Sequence, residues 1–151
     1  MRTPEGAVVT GIDPRGPRFT AAVTALIVAA ALVIPSANLS ALLMFIQGAF
    51  FAVGAYAGVQ YTPTAVLFRR VIRPRLSPPT ELEDPRPPQF AQGIGLVFAV
   101  VSVTGYAIGP VLLGQVAAGL AFAAALLNAV FGFCLGCELY LRGLRLKERL
   151  A

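Results

Sequence analysis

Polar and apolar positions fall into blocks along this chain. From Phe19 to Phe68 no residue carries a charge, and none does from Pro87 to Cys137. Each run is too long for one membrane crossing, since about 20 apolar residues span a bilayer. Each is also interrupted once by turn-forming residues. Pro35, Ser36 and Asn38 break the first, and Gly109-Pro110 breaks the second. The pattern predicts four spans: Arg18 to Ile34, Leu39 to Tyr61, Phe90 to Ile108, and Leu112 to Leu141. The predicted fold is all-α, a polytopic membrane protein of four transmembrane helices arranged as two tandem helical hairpins. Residues 1–17 form a polar tail. The hairpins occupy 18–61 and 90–141, a Pro/Arg-rich linker occupies 62–89, and a basic tail closes the chain at 142–151.

Charge adds direction. Arg2, Arg15 and Arg18 precede the first span; Arg69, Arg70, Arg73, Arg75 and Arg86 lie between the second and third; Arg142, Arg145, Lys147 and Arg149 close the chain. With four spans these groups share one side, which the positive-inside rule makes cytoplasmic. The expected location is the cell (inner) membrane, with both termini in the cytoplasm. The net charge of +5 does not point to nucleic acid, because the basic residues flank apolar runs. They read as orientation signals and contacts for membrane lipid.

The chain looks duplicated. Asp13-Pro14-Arg15-Gly16-Pro17-Arg18-Phe19 opens the first span and Asp84-Pro85-Arg86-Pro87-Pro88-Gln89-Phe90 opens the third, with five of seven positions identical. Each half then gives helix, tight turn, helix and a basic exit. Two helices per half imply a parallel repeat about an axis along the membrane normal.

The sharpest chemical feature is Phe131-Gly132-Phe133-Cys134-Leu135-Gly136-Cys137-Glu138-Leu139-Tyr140. There is no histidine, so the commonest general base and metal ligand are absent. Cys134 and Cys137 are the only cysteines. Two thiols at this spacing can form a disulfide, bind a soft metal or relay a sulfur atom, or act as small apolar fillers. As a metal site the pair is incomplete, and no metal or cofactor is expected. On a continuous fourth helix the pair falls at the inner, C-terminal end. There the dipole and Glu138 disfavour thiolate, which only a break at Gly132 or Gly136, or nearby arginines, would offset. The cytosol favours a reduced dithiol.

Glu138, Arg15, Arg18 and Asp13 are candidate accessory residues. Asp13 and Asp84 suit helix capping or pairing with arginine. Gly54/Gly58, Gly105/Gly109 and Gly132/Gly136 have the spacing for close helix approach in lipid, with Gly132 and Gly136 facing away from the cysteines. Gln47, Gln115 and Asn128 are candidate pathway-lining residues, or make interhelical hydrogen bonds. No charge lies deep in a span, which argues against carriers that use buried carboxylates.

The Asp13–Phe19 opening, the Phe68–Leu76 exit, the Glu83–Pro88 linker and above all Phe133–Tyr140 together resemble a bacterial family of small membrane proteins catalogued as a domain of unknown function, forty-three ninety-five. The resemblance covers nearly the whole chain. It implies a four-span inner-membrane protein without an established activity, associated with thioredoxin-like and sulfurtransferase-like proteins. Three functions fit these observations. One is a membrane thiol protein in sulfur or redox handling, served by a cytosolic partner of that kind. Another is a small-solute transporter or channel subunit working as a homodimer. The third is a structural subunit without chemistry.

Overall fold

The computed structural model of the protein describes residues 11–151. Most of the predicted polar tail, residues 1–10 with Arg2, lies outside the described residues. Four long helices make the body: α1 (Arg15–Val33), α2 (Ala37–Tyr56), α4 (Arg86–Ala107) and α5 (Val111–Phe131). Two shorter ones follow the halves: α3 (Pro63–Leu67), after the second long helix, and α6 (Leu135–Leu150), after the fourth. The four long helices are apolar enough to cross a membrane. At 1.5 Å per residue, each is roughly 29–33 Å long, the thickness of a bilayer core.

Local chemistry explains the boundaries. Pro35 stops α1, leaving Ile34 extended, and Ser36 caps α2 by accepting the Leu39 N–H at 3.4 Å. Asp13 accepts the Arg15 N–H at 3.0 Å to start α1, and Asp84 accepts the Arg86 N–H at 2.9 Å to start α4. Both aspartates also pair with the guanidinium of the same arginine. The two openings are joined by an antiparallel bridge: Ile12 and Glu83 exchange both backbone hydrogen bonds at 2.9 Å.

In the bundle, α1 and α4 each pack against both α2 and α5. Val28, Ala31, Met44, Phe51, Ala99, Tyr106 and Ala118 form the buried core. Gly105 and Gly114 meet across α4 and α5 with no room for a Cβ on either. Apolar side chains also cover the outside. Leu26, Phe45, Val97 and Leu112 are all more than 60% exposed. Such a coat is a liability in water and suits a lipid surrounding.

The duplicated openings extend into equivalent packing. Val28 and Ala99, buried in α1 and α4, are 71 residues apart, as are Ala31 and Ser102 and also Phe19 and Phe90. Met44 and Ala118, buried in α2 and α5, are 74 apart, as are Ser40 and Gly114. Ser40 Oγ donates to the Ala31 carbonyl at 2.7 Å, and Ser102 Oγ donates to the Gly114 carbonyl at 2.9 Å. One interhelical bond thus occurs in both halves, with the serine on opposite partners.

Two predicted spans end early. The second stops at Tyr56, not Tyr61, and Gly58 follows at φ 125°, outside the helix. A 3-10 turn (Val59–Tyr61) and α3 follow. A wider π turn over Phe68–Ile72 and a 3-10 turn over Arg73–Arg75 then continue α3. The fourth span stops at Phe131, not Leu141, and the predicted basic tail is the second half of helix α6. The glycine pairs are corrected accordingly. Gly54, Gly105 and Gly136 sit where a Cβ would clash with a neighbouring helix, whereas Gly58, Gly109 and Gly132 belong to turns or caps.

Candidate thiol–disulfide site

The site is built by the break between α5 and α6. Gly132 takes a left-handed conformation, φ 67° and ψ 15°, and its N–H bonds to the Asn128 carbonyl at 3.0 Å. Glycine tolerates this geometry and closes the helix. Two residues later Cys134 is extended, φ −92° and ψ 104°, and becomes the N-cap of α6. Its Sγ accepts the Cys137 N–H at 3.2 Å, and its carbonyl accepts the Glu138 N–H at 3.0 Å.

This overturns the expectation of a single continuous helix. The cysteines lie at the N-terminus of a new helix, not at the C-terminal end of the old one. The local dipole therefore favours negative charge on Cys134. The Cys137 N–H reinforces it, with no histidine needed. The expected face, with Gly132 and Gly136 opposite the thiols on one helix, does not exist. The redox expectation also differs: Cys134 and Cys137 are joined as a disulfide, with Cα atoms 5.2 Å apart, where a reduced dithiol was anticipated. Both cysteines are half-buried, as is Glu138 in the first turn of α6.

Packing holds the corner in place. A Cβ on Gly136 would lie 2.5 Å from the Ala91 Cβ, so glycine lets the first turn of α6 rest on α4. One turn further on, Tyr140 packs on Phe90 with ring centroids 5.5 Å apart. On the other side, the Arg18 guanidinium donates to the carbonyls of Ala129 and Val130, each at 3.3 Å. It thereby places a cation against the C-terminal carbonyls of α5, where the dipole is negative.

The remaining sequence candidates separate. Arg18 reaches the break, but Asp13 and Arg15 form a different cluster. Arg15 binds Asp13 at 2.8 Å and donates to the Ser77 carbonyl at 2.9 Å, and Arg73 lies 3.9 Å from Asp13. The Arg15 hydrogen bond is the largest influence holding the Asp13 carboxyl below the usual carboxylate range. Gln47 is buried and donates to Thr24 Oγ1 at 3.1 Å, Asn128 is half-buried, and Gln115 is exposed. Gln115 and Asn128 are roughly 20 Å apart along α5 at 1.5 Å per residue, so the three do not gather around one path. Among the described residues, no group of three or more His, Cys, Asp or Glu side chains is placed to hold a metal ion.

The packing of Ala91 and Phe90 against α6 was not read from the sequence, where a break at Gly132 was one of two considered. The duplication carried the signal for them. Thr62 caps α3 by accepting the Ala65 N–H at 3.2 Å, and Thr62-Pro63-Thr64-Ala65 lies 72 residues before Cys134-Leu135-Gly136-Cys137. Extending the repeat to this point would have located the second helix start.

A family described as a domain of unknown function, DUF4395, matches residues 12–145. No curated protein and no solved structure matches the chain.

Proposed function

The chain belongs to the DUF4395 family, whose name assigns no activity, and we propose that it is a membrane thiol–disulfide protein in sulfur or redox handling. The observation that carries this reading is the N-cap position of Cys134, with its Sγ facing the Cys137 N–H. On this reading the charged end of the bundle faces the cytoplasm of the cell membrane, where arginines are retained. The partner is a cytosolic thiol protein of thioredoxin-like or sulfurtransferase-like kind.

In the reduced protein, the helix N-terminus stabilises Cys134 as thiolate. That thiolate attacks one sulfur of the partner's disulfide. The partner S–S bond breaks, its other sulfur leaves as thiolate and takes up a proton, and a mixed disulfide forms on Cys134. Cys137 then loses its proton and attacks Cys134 Sγ. The mixed disulfide breaks and releases the second partner sulfur. The partner gains two electrons and two protons, and the chain is left with the Cys134–Cys137 disulfide. The same steps in reverse oxidise a partner dithiol.

The test is trapping. In reconstituted membranes, Cys137→Ser should accumulate more mixed disulfide with a thioredoxin-like protein than the unaltered chain, because forward resolution is lost and only back-attack by the partner's released thiol remains. Cys134→Ser should accumulate none. The reading fails if neither variant traps a partner and both restore a deletion strain fully.

A further inference from the structure

We infer that α6 is a surface anchor whose leucines enter the bilayer interface and whose cations contact anionic lipid headgroups. This rests on the chain being a membrane protein and not on the thiol reading. The 21 residues of α5 already cover roughly 31 Å at 1.5 Å per residue, a full hydrocarbon thickness. The chain therefore reaches the membrane surface at Gly132, and α6 starts there.

At 3.6 residues per turn, Leu135, Leu139, Leu146 and Leu150 form one stripe along α6. It is uncovered: Leu139 is 57% exposed, Leu146 58% and Leu150 80%. Leu141 and Leu144 fall outside it. Arg142, Arg145 and Arg149 run along one flank of the stripe and Lys147 lies on the other, while Glu148 points away. Long cationic side chains at the edges of an apolar stripe bury their stems and reach for phosphate. Of the two acids on α6, Glu148 on the far side avoids an anionic surface, while Glu138 falls on the arginine flank and is half-buried in the first turn. That charge distribution selects a negatively charged lipid face.

The other half shows what α6 has in addition. There the helical run ends at Arg75, Arg15 holds the Ser77 carbonyl, and Arg73 approaches Asp13. Arg145, 72 residues beyond Arg73, makes no ion pair with Asp84. The helix instead continues to Leu150. Only the first turns of α6 are tied to the bundle, through Gly136 and Tyr140. An amphipathic helix beginning at the surface either projects about four exposed or half-exposed turns into water or lies down. Lying down covers the stripe.

The test uses the full chain in a Cys134→Ser/Cys137→Ser background, reconstituted in bilayers. Nitroxide labels are placed at Leu146→Cys and, separately, at Glu148→Cys. In phosphatidylglycerol-containing bilayers, the label at 146 should be relaxed more by oxygen, which partitions into lipid, than by a water-soluble nickel chelate. The label at 148 should show the opposite order. In pure phosphatidylcholine the difference should shrink. Equal chelate access at both sites in anionic bilayers would overturn the inference. So would shielding of position 146 from both reagents whatever the lipid, which would place a second copy or a soluble protein on the stripe.

Discussion

After α2 the chain is capped by Thr62, whose hydroxyl accepts the Ala65 N–H at 3.2 Å; after α5 it is capped by Cys134, whose sulfur accepts the Cys137 N–H at 3.2 Å. The surroundings correspond as well. Thr64 meets Thr20 through a 2.9 Å hydroxyl hydrogen bond in the first half, and Gly136 meets Ala91 in the second. Phe68 packs on Phe19 at 5.8 Å, and Tyr140 packs on Phe90 at 5.5 Å. One corner is thus used twice. In the first half it is closed with hydroxyls: Thr62 is buried, and its Oγ1 lies 3.2 Å from that of Thr64. In the second half the hydroxyls are replaced by sulfur and small residues, and both sulfurs remain half-buried. A capping position asks only for an atom that accepts N–H bonds. Placing sulfur there puts a group that chemistry can use at a helix N-terminus. The first corner therefore reports what the fold needs, and the second reports what has been added.

The largest expected effect separates the two corners by activity. Cys134→Ser should reduce disulfide exchange to background while the protein still inserts. Thr62→Ser, at the matching position, should leave exchange unchanged. Turnover with a small aromatic disulfide checks both. Equal losses would mean that the corners differ in sequence but not in use.

Next comes packing. Gly136→Ala forces a Cβ into Ala91 and should destabilise the fold by about 1–3 kcal/mol, as overpacking does. Adding Ala91→Gly should restore most of it. Unfolding in mixed micelles, read as a double-mutant cycle, measures the coupling. At the matching contact, Thr64→Ala removes a hydrogen bond rather than adding bulk, and the average for such bonds in membranes is about 0.6 kcal/mol. Between these lies Thr62→Ala, which removes the α3 cap and should destabilise by about 1 kcal/mol without touching exchange. Unfolding and exchange assays on the same preparation distinguish the two outcomes.

The smallest effect is electrostatic. Asp13 and Asp84 both have carboxyls held below the usual carboxylate range, each chiefly by the hydrogen bond from its own arginine. A lowered folded value means that the ionised form is the one stabilised. That contribution is fully present above the ordinary carboxylate value and is lost as pH falls through the lower folded one. Asp13 is buried and also approached by Arg73, while Asp84 is more exposed and pairs with Arg86 alone. Melting followed downward through the acid range should therefore be flattened more by Asp13→Asn than by Asp84→Asn.

Much of the bundle was legible because its four long helices carry almost no charge. The charge-free runs marked the four long helices, and Pro35 with Ser36 and Gly109 with Pro110 marked the turns to within a few residues. The Asp-Pro-Arg openings revealed a repeat that the buried positions follow. The end of α5 was not legible from hydropathy. Phe131, Phe133 and Leu135 continue the apolar run across the break, and a helix leaning on another helix can be as apolar as one that faces lipid. What ends α5 is the backbone of Gly132, and a positive φ leaves no trace in hydrophobic pattern. Reading the helix as continuous reversed the dipole at the thiols and so placed the pair in the wrong electrostatic setting.

Alkylation of the reduced, full-length protein in inside-out vesicles by a membrane-impermeant thiol reagent tests that setting most directly. Cys134, at the N-cap, should react several-fold faster than Cys137, since about 1 kcal/mol of N-terminal stabilisation of an anion corresponds to roughly fivefold more thiolate. Right-side-out vesicles should protect both. Equal slow labelling of the two cysteines, or labelling only from the opposite face, would contradict a cytoplasmic thiolate at the start of α6.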